Sequence, residues 1–246
     1  MKIIKSILLF TGMICSLLSF QSCLDDDDTY ENKMYPNALV TVKQSSDKTV
    51  FLQLDDKTTL LPVNVKSSPF GNKEVRALVN YKEVNESNKE YTKAVYINWI
   101  DSIRTKNMAP NLASKNDSIY GTDPVEIIRD WVTIAEDGYL TLRFRAVWGN
   151  QKKIHYVNLL VSDNPDNPYE VEFRHNASGD VQGKMMDALV AFKLDRLPDT
   201  KGKTVKLKLK WESFNGEKYV EFDYVTHKII PAKSIMVHSA DPTKLQ

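Results

Sequence analysis

The side chains best suited to acid–base chemistry in this chain are its four histidines, and two of them, His155 and His175, fall in neighbouring predicted strands. His175 lies in the segment EFRHNASGD, where Arg174 precedes it and Asp180 follows a Ser-Gly turn. An imidazole titrates near neutral pH, so a guanidinium and a carboxylate beside it could bind a ligand or move a proton. The first hypothesis is therefore a small polar site made of Arg174, His175 and Asp180, with His155 opposite.

A structural interpretation explains the same segment without any site. Asn176 and Asp180 are residue types that hydrogen-bond the backbone of turns. Arg174 would then pair with a nearby carboxylate. We favour this second interpretation, because the chain contains no H-x-H or H-E-x-x-H spacing that would mark a metal site.

The sequence motifs of common catalytic sites are absent. The chain contains no G-x-S-x-G, no P-loop and no G-x-G-x-x-G. Its two cysteines, Cys15 and Cys23, both fall in the N-terminal segment discussed below, so no thiol remains in the body as a nucleophile. We therefore predict no catalytic residue, no metal ion, no cofactor and a non-enzymatic protein.

Strand-like alternation dominates the body of the chain, and helical periodicity is nearly absent. Five short apolar stretches, at 37–44, 48–55, 60–67, 73–85 and 93–106, predict a small five-stranded barrel domain over residues 35–114. In the fourth stretch, Val75, Ala77 and Val79 alternate with Arg76 and Asn80. An open five-stranded sheet is the alternative for this part.

A second β domain is predicted after a polar linker. Residues 115–124, rich in Asn, Ser, Asp and Gly, are the linker, with room for a short helical turn. Beyond it, short strands at regular spacing predict an antiparallel β-sandwich with a C-terminal extension over 125–246. In DGYLTLRFRAVWG, Leu140, Leu142 and Phe144 should face the core, while Tyr139 and Thr141 should face solvent. The Asn-Gly pair at 215–216 predicts a tight hairpin.

The N-terminus has the pattern of a lipoprotein signal peptide over residues 1–22. Lys2 and Lys5 precede an apolar run, and Ser22 places a small residue before Cys23, the predicted lipidation site. Residues 23–34 would be an acidic tether, since four adjacent aspartates repel one another and stay solvated. We expect contact with the membrane through the N-terminal lipid, as an outer-membrane anchor at the cell surface or on the periplasmic face. A free buried cysteine and a calcium site at the aspartates are the alternatives.

Charge argues against a nucleic-acid partner. The chain has 33 basic and 32 acidic residues, and loss of Lys2 and Lys5 would change its net charge from +1 to −1. Nucleic-acid binding would show as a basic stripe, which a near-neutral chain lacks. We expect no nucleic acid among the partners.

The tripeptide Asp-Ser-Ile occurs twice, and its central residues, Ser102 and Ser118, are the acceptor candidates. It resembles the O-glycosylation acceptor of a Gram-negative lineage, which has Asp, Ser or Thr, and then an apolar residue. Ser102 and Ser118 are therefore candidate O-glycosylation sites, and chance occurrence of so short a motif is the favoured alternative.

Four segments, EVRALVNYKEV, VYINWIDSIRTK, YGTDPVEIIRDWVTIAEDGYLTLRF and VEFRHNASGD, resemble the NigD-like lipoproteins. The resemblance extends over most of the mature chain. It implies an N-terminal OB-like barrel followed by a C-terminal β-sandwich, in agreement with the strand pattern. It also implies an association with a bacteriocin operon, and it supplies no catalytic residues.

Together these observations predict a lipid-anchored cell-envelope protein that acts as a non-enzymatic binding or accessory module, with a protein or glycan as its ligand. A bacteriocin-associated immunity or export factor is the first alternative. A hydrolase that uses the Arg174–His175 region is the second.

Overall fold

The computed structural model describes residues 34–86 and 90–226. The predicted signal peptide, Cys23 with nearly all of the tether, and residues 227–246 lie outside the described residues. Within the described part, the strands form one closed barrel and two further sheets. The all-β class predicted from the strand pattern is therefore confirmed.

The first domain is a closed barrel of five strands. In chain order they are β1 (Ala38–Gln44), β2 (Val50–Gln53), β3 (Thr59–Pro62), β4 (Val75–Val84) and β5 (Lys93–Ser102). Around the barrel the order is β1-β2-β3-β5-β4, and only the β3–β5 pair is parallel. Alternate residues such as Val40, Leu52 and Val79 fill the interior, because successive side chains of a strand point to opposite faces. The barrel, rather than the open sheet, is confirmed.

The second domain is a sandwich of two sheets. Its elements are β6 (Arg104–Asn107), a 3₁₀ turn (Ala113–Lys115), α1 (Asn116–Tyr120), β7 (Glu126–Ile128), β8 (Ile134–Glu136), β9 (Tyr139–Trp148), β10 (Tyr156–Val161), β11 (Glu170–Asn176), β12 (Lys184–Lys193), β13 (Val205–Ser213) and β14 (Gly216–Tyr224). One sheet has the order β10-β11-β13-β14, and the other has the order β6-β12-β9-β7 with β8 also paired to β9. The two predicted domain types are thus both present.

Strand pairing in the sandwich differs in two details from the sequence-based expectation. The stretch 93–106 is divided at the buried Ile103, after which β6 pairs in parallel with β12 of the sandwich. The range predicted for the barrel domain, 35–114, therefore includes a strand of the sandwich. The β11–β13 pair is also parallel, whereas an antiparallel sandwich was expected.

The sandwich core follows the predicted alternation along β9. Leu140, Leu142 and Phe144 are buried and pack with Leu159 and Leu209 of the opposite sheet. The predicted hairpin joins β13 to β14, and its closing pair is Ser213 with Gly216. A positive φ of 90° at Gly216 explains why glycine suits that position.

The opposite face of β9 is covered by the barrel rather than by water. Tyr139 and Thr141, expected to face solvent, are 2% and 0% exposed. Arg76 of β4 is fully buried against them: its Nη2 contacts Glu136 at 2.5 Å and its Nε donates to Thr141 at 3.3 Å. The expectation of a solvent face was wrong here, because period-2 alternation cannot reveal that a second domain packs on a sheet.

Candidate functional site

Two adjacent strands bring His155 and His175 together. His175 pairs with Val157 in the β10–β11 register, and His155 lies just before β10 begins. The His155 Nδ1 and His175 Nε2 atoms are 2.9 Å apart. Trp148, at the end of β9, stacks on the His155 ring with a centroid distance of 3.8 Å. The two imidazoles are therefore held by a backbone register and by an aromatic cover.

Asp180 completes this cluster from the turn that follows β11. Its Oδ2 accepts hydrogen bonds from the backbone N–H groups of Gly149 and Asn150, both at 3.0 Å, and lies 3.2 Å from His155 Nε2. The two backbone donors, and then His155, hold the pKa of Asp180 at about 2. A Cβ on Gly149 would lie 1.7 Å from the carbonyl oxygen of Gln182, so glycine allows the two turns to approach.

The carboxylate sets the direction of one hydrogen bond in the cluster. A carboxylate only accepts, so His155 donates to Asp180 through Nε2. The tautomers of the two rings set which ring donates in the His155–His175 contact. Burial, and next the neighbouring His155, lower the pKa of His175 to about 4, so this ring is neutral at pH 7. We call His155, His175 and Asp180 the histidine relay.

The free end of the histidine relay touches no nucleophile. His175 is 3% exposed, and its Nδ1 makes no side-chain hydrogen bond among the described residues. The Asp123 backbone contacts this ring and raises its pKa, against the larger effect of burial. Activation of a hydroxyl or thiol requires that group within hydrogen-bond reach of the base. Among the described residues the relay therefore has no nucleophile to activate.

Arg174 lies apart from the histidine relay, because neighbouring residues of a strand point to opposite faces. Its Nη1 donates to Asp117 at 2.7 Å, and its Nε lies 2.9 Å from Glu172. Of the four predicted site residues, the structure brings three together and separates the Arg174 guanidinium. It contains both the cluster of the first hypothesis and the turn and ion-pair contacts of the structural interpretation.

A cavity of about 240 Å³ lies beside Arg174. We call it the acidic cavity, and its ionisable lining residues are Asp117, Asp123, Glu172, Arg174, His175, Glu212 and Glu217. Sequence reasoning missed it, because its carboxylates come from α1, the segment before β7, β11, β13 and β14.

A larger cleft of about 600 Å³ lies where the barrel meets the sandwich. We call it the interdomain cleft, and its lining residues are Tyr35, Pro36, Leu78, Asp130, Trp131, Val132, Arg143, Asp187, Ala188 and Leu189. Trp131, in the turn between β7 and β8, is 53% exposed. The single tryptophan in RDWVTI gives no periodic signal, so the sequence did not distinguish it from a core residue.

The charged rim of the interdomain cleft is internally paired. Arg143 donates to Asp130 at 2.9 Å and to Asp187 at 2.6 Å. Arg145 also donates to Asp187, at 2.6 Å, and the two arginines lower the pKa of that carboxyl. The cleft thus combines an apolar wall, an exposed indole and a rim whose charges balance.

The remaining predicted sites are the two candidate glycosylation serines, which are exposed, and the lipidation site, which lies outside the described residues. Ser102 ends β5 and Ser118 lies in α1, and both are exposed. Cys23 lies outside the described residues, as do His227 and His238. In the described ranges, 34–86 and 90–226, no group of three or more His, Cys, Asp or Glu side chains is arranged to hold a metal ion. Over the same ranges no helix has the length and apolar character needed to cross a membrane.

The fold defines a two-domain β protein, an OB-like barrel joined to a sandwich, whose interdomain cleft of about 600 Å³ has the size of a small-ligand site. Two family models match it: the NigD-like N-terminal OB domain at residues 39–103 and the NigD-like C-terminal β-sandwich domain at residues 107–224. The chain belongs to the NigD-like family.

Solved structures include several similar chains. One, a Parabacteroides distasonis ATCC 8503 protein provisionally named toxin-related, is 36% identical with a TM-score of 0.64, over 77% of this chain and 92% of that one. A NigD-like immunity protein of Bacteroides caccae ATCC 43185 shares the fold at 22% identity and a TM-score of 0.54, over 76% and 96% of the two chains. A protein of Bacteroides fragilis NCTC 9343, provisionally named a lipoprotein, does so at 14% identity and 0.52, over 77% and 99%. Among the curated proteins, none matches this chain.

Proposed function

We propose that this protein is a lipid-anchored, non-enzymatic binding protein of the cell envelope, and that the interdomain cleft binds a neutral oligosaccharide. The observation that carries the proposal is the exposed Trp131 beside the apolar wall of a cleft of about 600 Å³. Ligand sites are concave, mostly apolar and fitted with a few fixed polar groups, and this volume lies in their usual range.

The chemistry of the cleft favours a sugar. A half-exposed indole offers a flat apolar face to the C–H groups of a sugar ring, and carboxylate and guanidinium groups hydrogen-bond its hydroxyls. Asp130 and Asp187 are matched by Arg143 and Arg145, so the rim favours an uncharged ligand over a charged one.

The position of Trp131 is fixed by its own turn. Asp130 Oδ1 accepts from the N–H of Val132 at 3.2 Å, and Thr133 Oγ1 donates to the carbonyl of Ile128 at 2.6 Å. The N–H of Arg143 in turn donates to Thr133 at 3.1 Å. A binding group held in this way loses little conformational entropy when a ligand binds.

The anchor in this proposal is Cys23, which would hold the domains at the outer membrane through fatty acid. Lys2, Lys5, the apolar run and Ser22 support that step by their order and spacing. A Cys23→Ser variant should leave the membrane fraction and lose the mass of the lipid, as fractionation and mass spectrometry would measure. If the variant stayed in the membrane fraction and kept the mass of the lipid, the proposed anchor would be contradicted. The proposal that the cleft binds a sugar does not depend on this result.

The test of the cleft is a binding titration with the intact lipoprotein in detergent. Hexasaccharides of maltose, cellobiose, xylose, mannose and chitin series would be titrated while tryptophan fluorescence is followed. For a hexasaccharide that binds, Trp131→Ala should weaken binding by about tenfold or more, the usual loss at an interface anchor. The matched control is Tyr219→Ala, a 65% exposed aromatic on β14 that lies outside the cleft lining.

Equal affinity in Trp131→Ala and in the unchanged protein would overturn the cleft as the sugar site. Failure of every hexasaccharide, with a protein crosslinked at Trp131 instead, would show that the cleft takes a protein segment.

A second candidate function is an immunity or export factor. It is supported by the provisional toxin-related name of the 36% identical Parabacteroides distasonis protein. Expression of this chain in a bacteriocin-sensitive strain should then raise the survival of that strain. The Trp131→Ala variant should raise survival equally, and a weaker effect would indicate that the cleft binds the toxin.

A further inference from the structure

The outer face of the barrel continues the wall of the interdomain cleft. Leu78 of β4 lines the cleft and pairs with Asp101 of β5. Paired residues of an antiparallel ladder lie on one face of the sheet, as do residues two positions apart on a strand. Asn80, paired with Trp99, therefore comes next on this face. We call the outward-facing residues that follow Leu78 and Asp101 the barrel strip: Asn80, Lys82, Tyr96, Asn98 and Trp99.

A β-bulge places two aromatic residues of β5 on this same face. The β4–β5 register shifts by one residue, and Asn98 is the extra residue of β5. Ile97 therefore faces the barrel core, where it is buried, while Tyr96 and Trp99 both face outwards. In a regular strand, residues three positions apart would lie on opposite faces. The bulge thus gives the barrel strip a pair of aromatic rings that period-2 alternation does not predict.

Amide hydrogen bonds hold the bulge in place and connect it to the cleft. Asn98 Nδ2 donates to Asn80 Oδ1 at 2.6 Å, and Asn80 Nδ2 donates to the carbonyl oxygen of Tyr35 at 2.7 Å. Tyr35 in turn lines the interdomain cleft. On the other side of the bulge, the N–H of Ile97 donates to Asn64 Oδ1 at 2.9 Å, and Asn64 Nδ2 donates to the carbonyl oxygen of Ile97 at 2.9 Å. The barrel strip is therefore positioned before any ligand binds.

The side chains of the barrel strip have the chemistry that binds a sugar chain. Tyr96 is 42% exposed, Trp99 is half-buried and Asn98 is exposed. Aromatic faces pack against the C–H groups of a sugar ring, and an amide both donates to and accepts from its hydroxyls. Lys82, whose Nζ lies 5.3 Å from the centroid of the Tyr96 ring, and Asp101 carry opposite charges. This face therefore favours an uncharged ligand, as the rim of the cleft does.

We propose that the barrel strip extends the sugar site of the interdomain cleft, and that it binds further residues of the same neutral oligosaccharide against Tyr96 and Trp99. This inference rests on the proposed binding of an oligosaccharide in the cleft. From Leu78 to Lys82 strand β4 advances about 13 Å, at about 3.3 Å per residue, which is longer than one sugar ring. A ligand that contacts both Trp131 and Tyr96 is therefore a chain of several sugars, and affinity rises with the length of that chain.

The test compares the disaccharide and the hexasaccharide of each of the maltose, cellobiose, xylose, mannose and chitin series. Each sugar is titrated into the intact lipoprotein in detergent at pH 7, and the dissociation constant is measured by isothermal titration calorimetry. For a series that binds, we expect the hexasaccharide to bind more tightly than the disaccharide. Equal affinities for the two lengths would overturn the proposal, because only the longer chain can reach from the cleft to the barrel strip.

Tyr96→Ala supplies the second measurement, because this exposed side chain can be removed with little risk to folding. The variant should bind the hexasaccharide about fivefold or more weakly, the loss that follows from removing one aromatic contact. Its affinity for the disaccharide should not change. The matched control is Tyr156→Ala, a 52% exposed tyrosine on β10 of the sandwich that lies outside both the cleft lining and the barrel strip.

Comparison with Trp131→Ala separates this proposal from the proposed function. Weaker hexasaccharide binding in Trp131→Ala and unchanged binding in Tyr96→Ala would overturn the barrel strip and leave the cleft as the sugar site. The reverse result would assign the sugar to the barrel alone and overturn the cleft together with the extended site. Equal losses in Tyr96→Ala and in the Tyr156→Ala control would also refute the strip, because the effect would then not depend on its position.

Discussion

Replacing His175 with glutamine should remove part of the acid sensitivity of folding. In the unfolded chain this imidazole takes up a proton near its ordinary pKa of 6.5, whereas burial and then His155 lower its pKa to about 4 in the folded protein. Between these values the unfolded state binds more protons than the folded state. The free energy of unfolding therefore falls as the pH falls through this window.

The size of the effect follows from the two pKa values. Their difference corresponds to about 3 kcal/mol, of which most should be lost between pH 7 and pH 4.5. The groups that act on His175 are His155, Asp123 and, through the relay, Asp180. Asp180 changes stability in the same direction but only below its ordinary pKa of 3.8, as the pH approaches about 2. The two groups thus act in separate pH ranges.

The assay is urea unfolding at pH 7 and at pH 4.5, followed by tryptophan fluorescence. Glutamine does not titrate, and its side-chain amide can either donate to His155 Nδ1 or accept from it. The free energy lost on acidification should be smaller in His175→Gln than in the unchanged protein by about 2–3 kcal/mol. The two proteins share the same carboxylates, so the contribution of these groups to the pH dependence of unfolding cancels in the comparison.

Equal losses in the two proteins would refute the reasoning. So would a titration of the His175 ring by NMR that gives a pKa near 6.5, because the folded and unfolded states would then bind the proton equally.

Three substitutions test the parts of the fold that position the sites, each measured by urea unfolding at pH 7. Arg76→Met should cost about 3–5 kcal/mol, because it leaves the Glu136 carboxylate at the domain interface without its guanidinium; a loss below about 1 kcal/mol would contradict a structural role. Gly121→Ala should cost about 1–3 kcal/mol, because φ is +79° there and a Cβ would lie 2.5 Å from the His175 carbonyl oxygen; an unchanged midpoint would mean that residues 121–125 do not pack as described. Leu159→Ala should cost about 2–5 kcal/mol, because this core side chain is fully buried; a smaller loss would show that the sandwich core collapses around the gap.

The strands could be predicted because alternation of apolar residues directly reflects burial on one face of a sheet. It placed Leu140, Leu142 and Phe144 in the core, and the barrel and the sandwich in their correct order. The same alternation wrongly predicted that Tyr139 and Thr141 face solvent, although both are buried. Polar and aromatic residues on the second face look solvated in the sequence, although here a fully buried Arg76 hydrogen-bonds across that face.

One of the candidate sites could be predicted from the sequence, and the other could not. His155 and His175 could be related from sequence, because adjacent strands place residues near their shared end side by side. The interdomain cleft could not, because Tyr35, Leu78, Trp131 and Leu189 come from four separate segments. Nothing in a one-dimensional pattern relates residues that meet only after two domains have packed together.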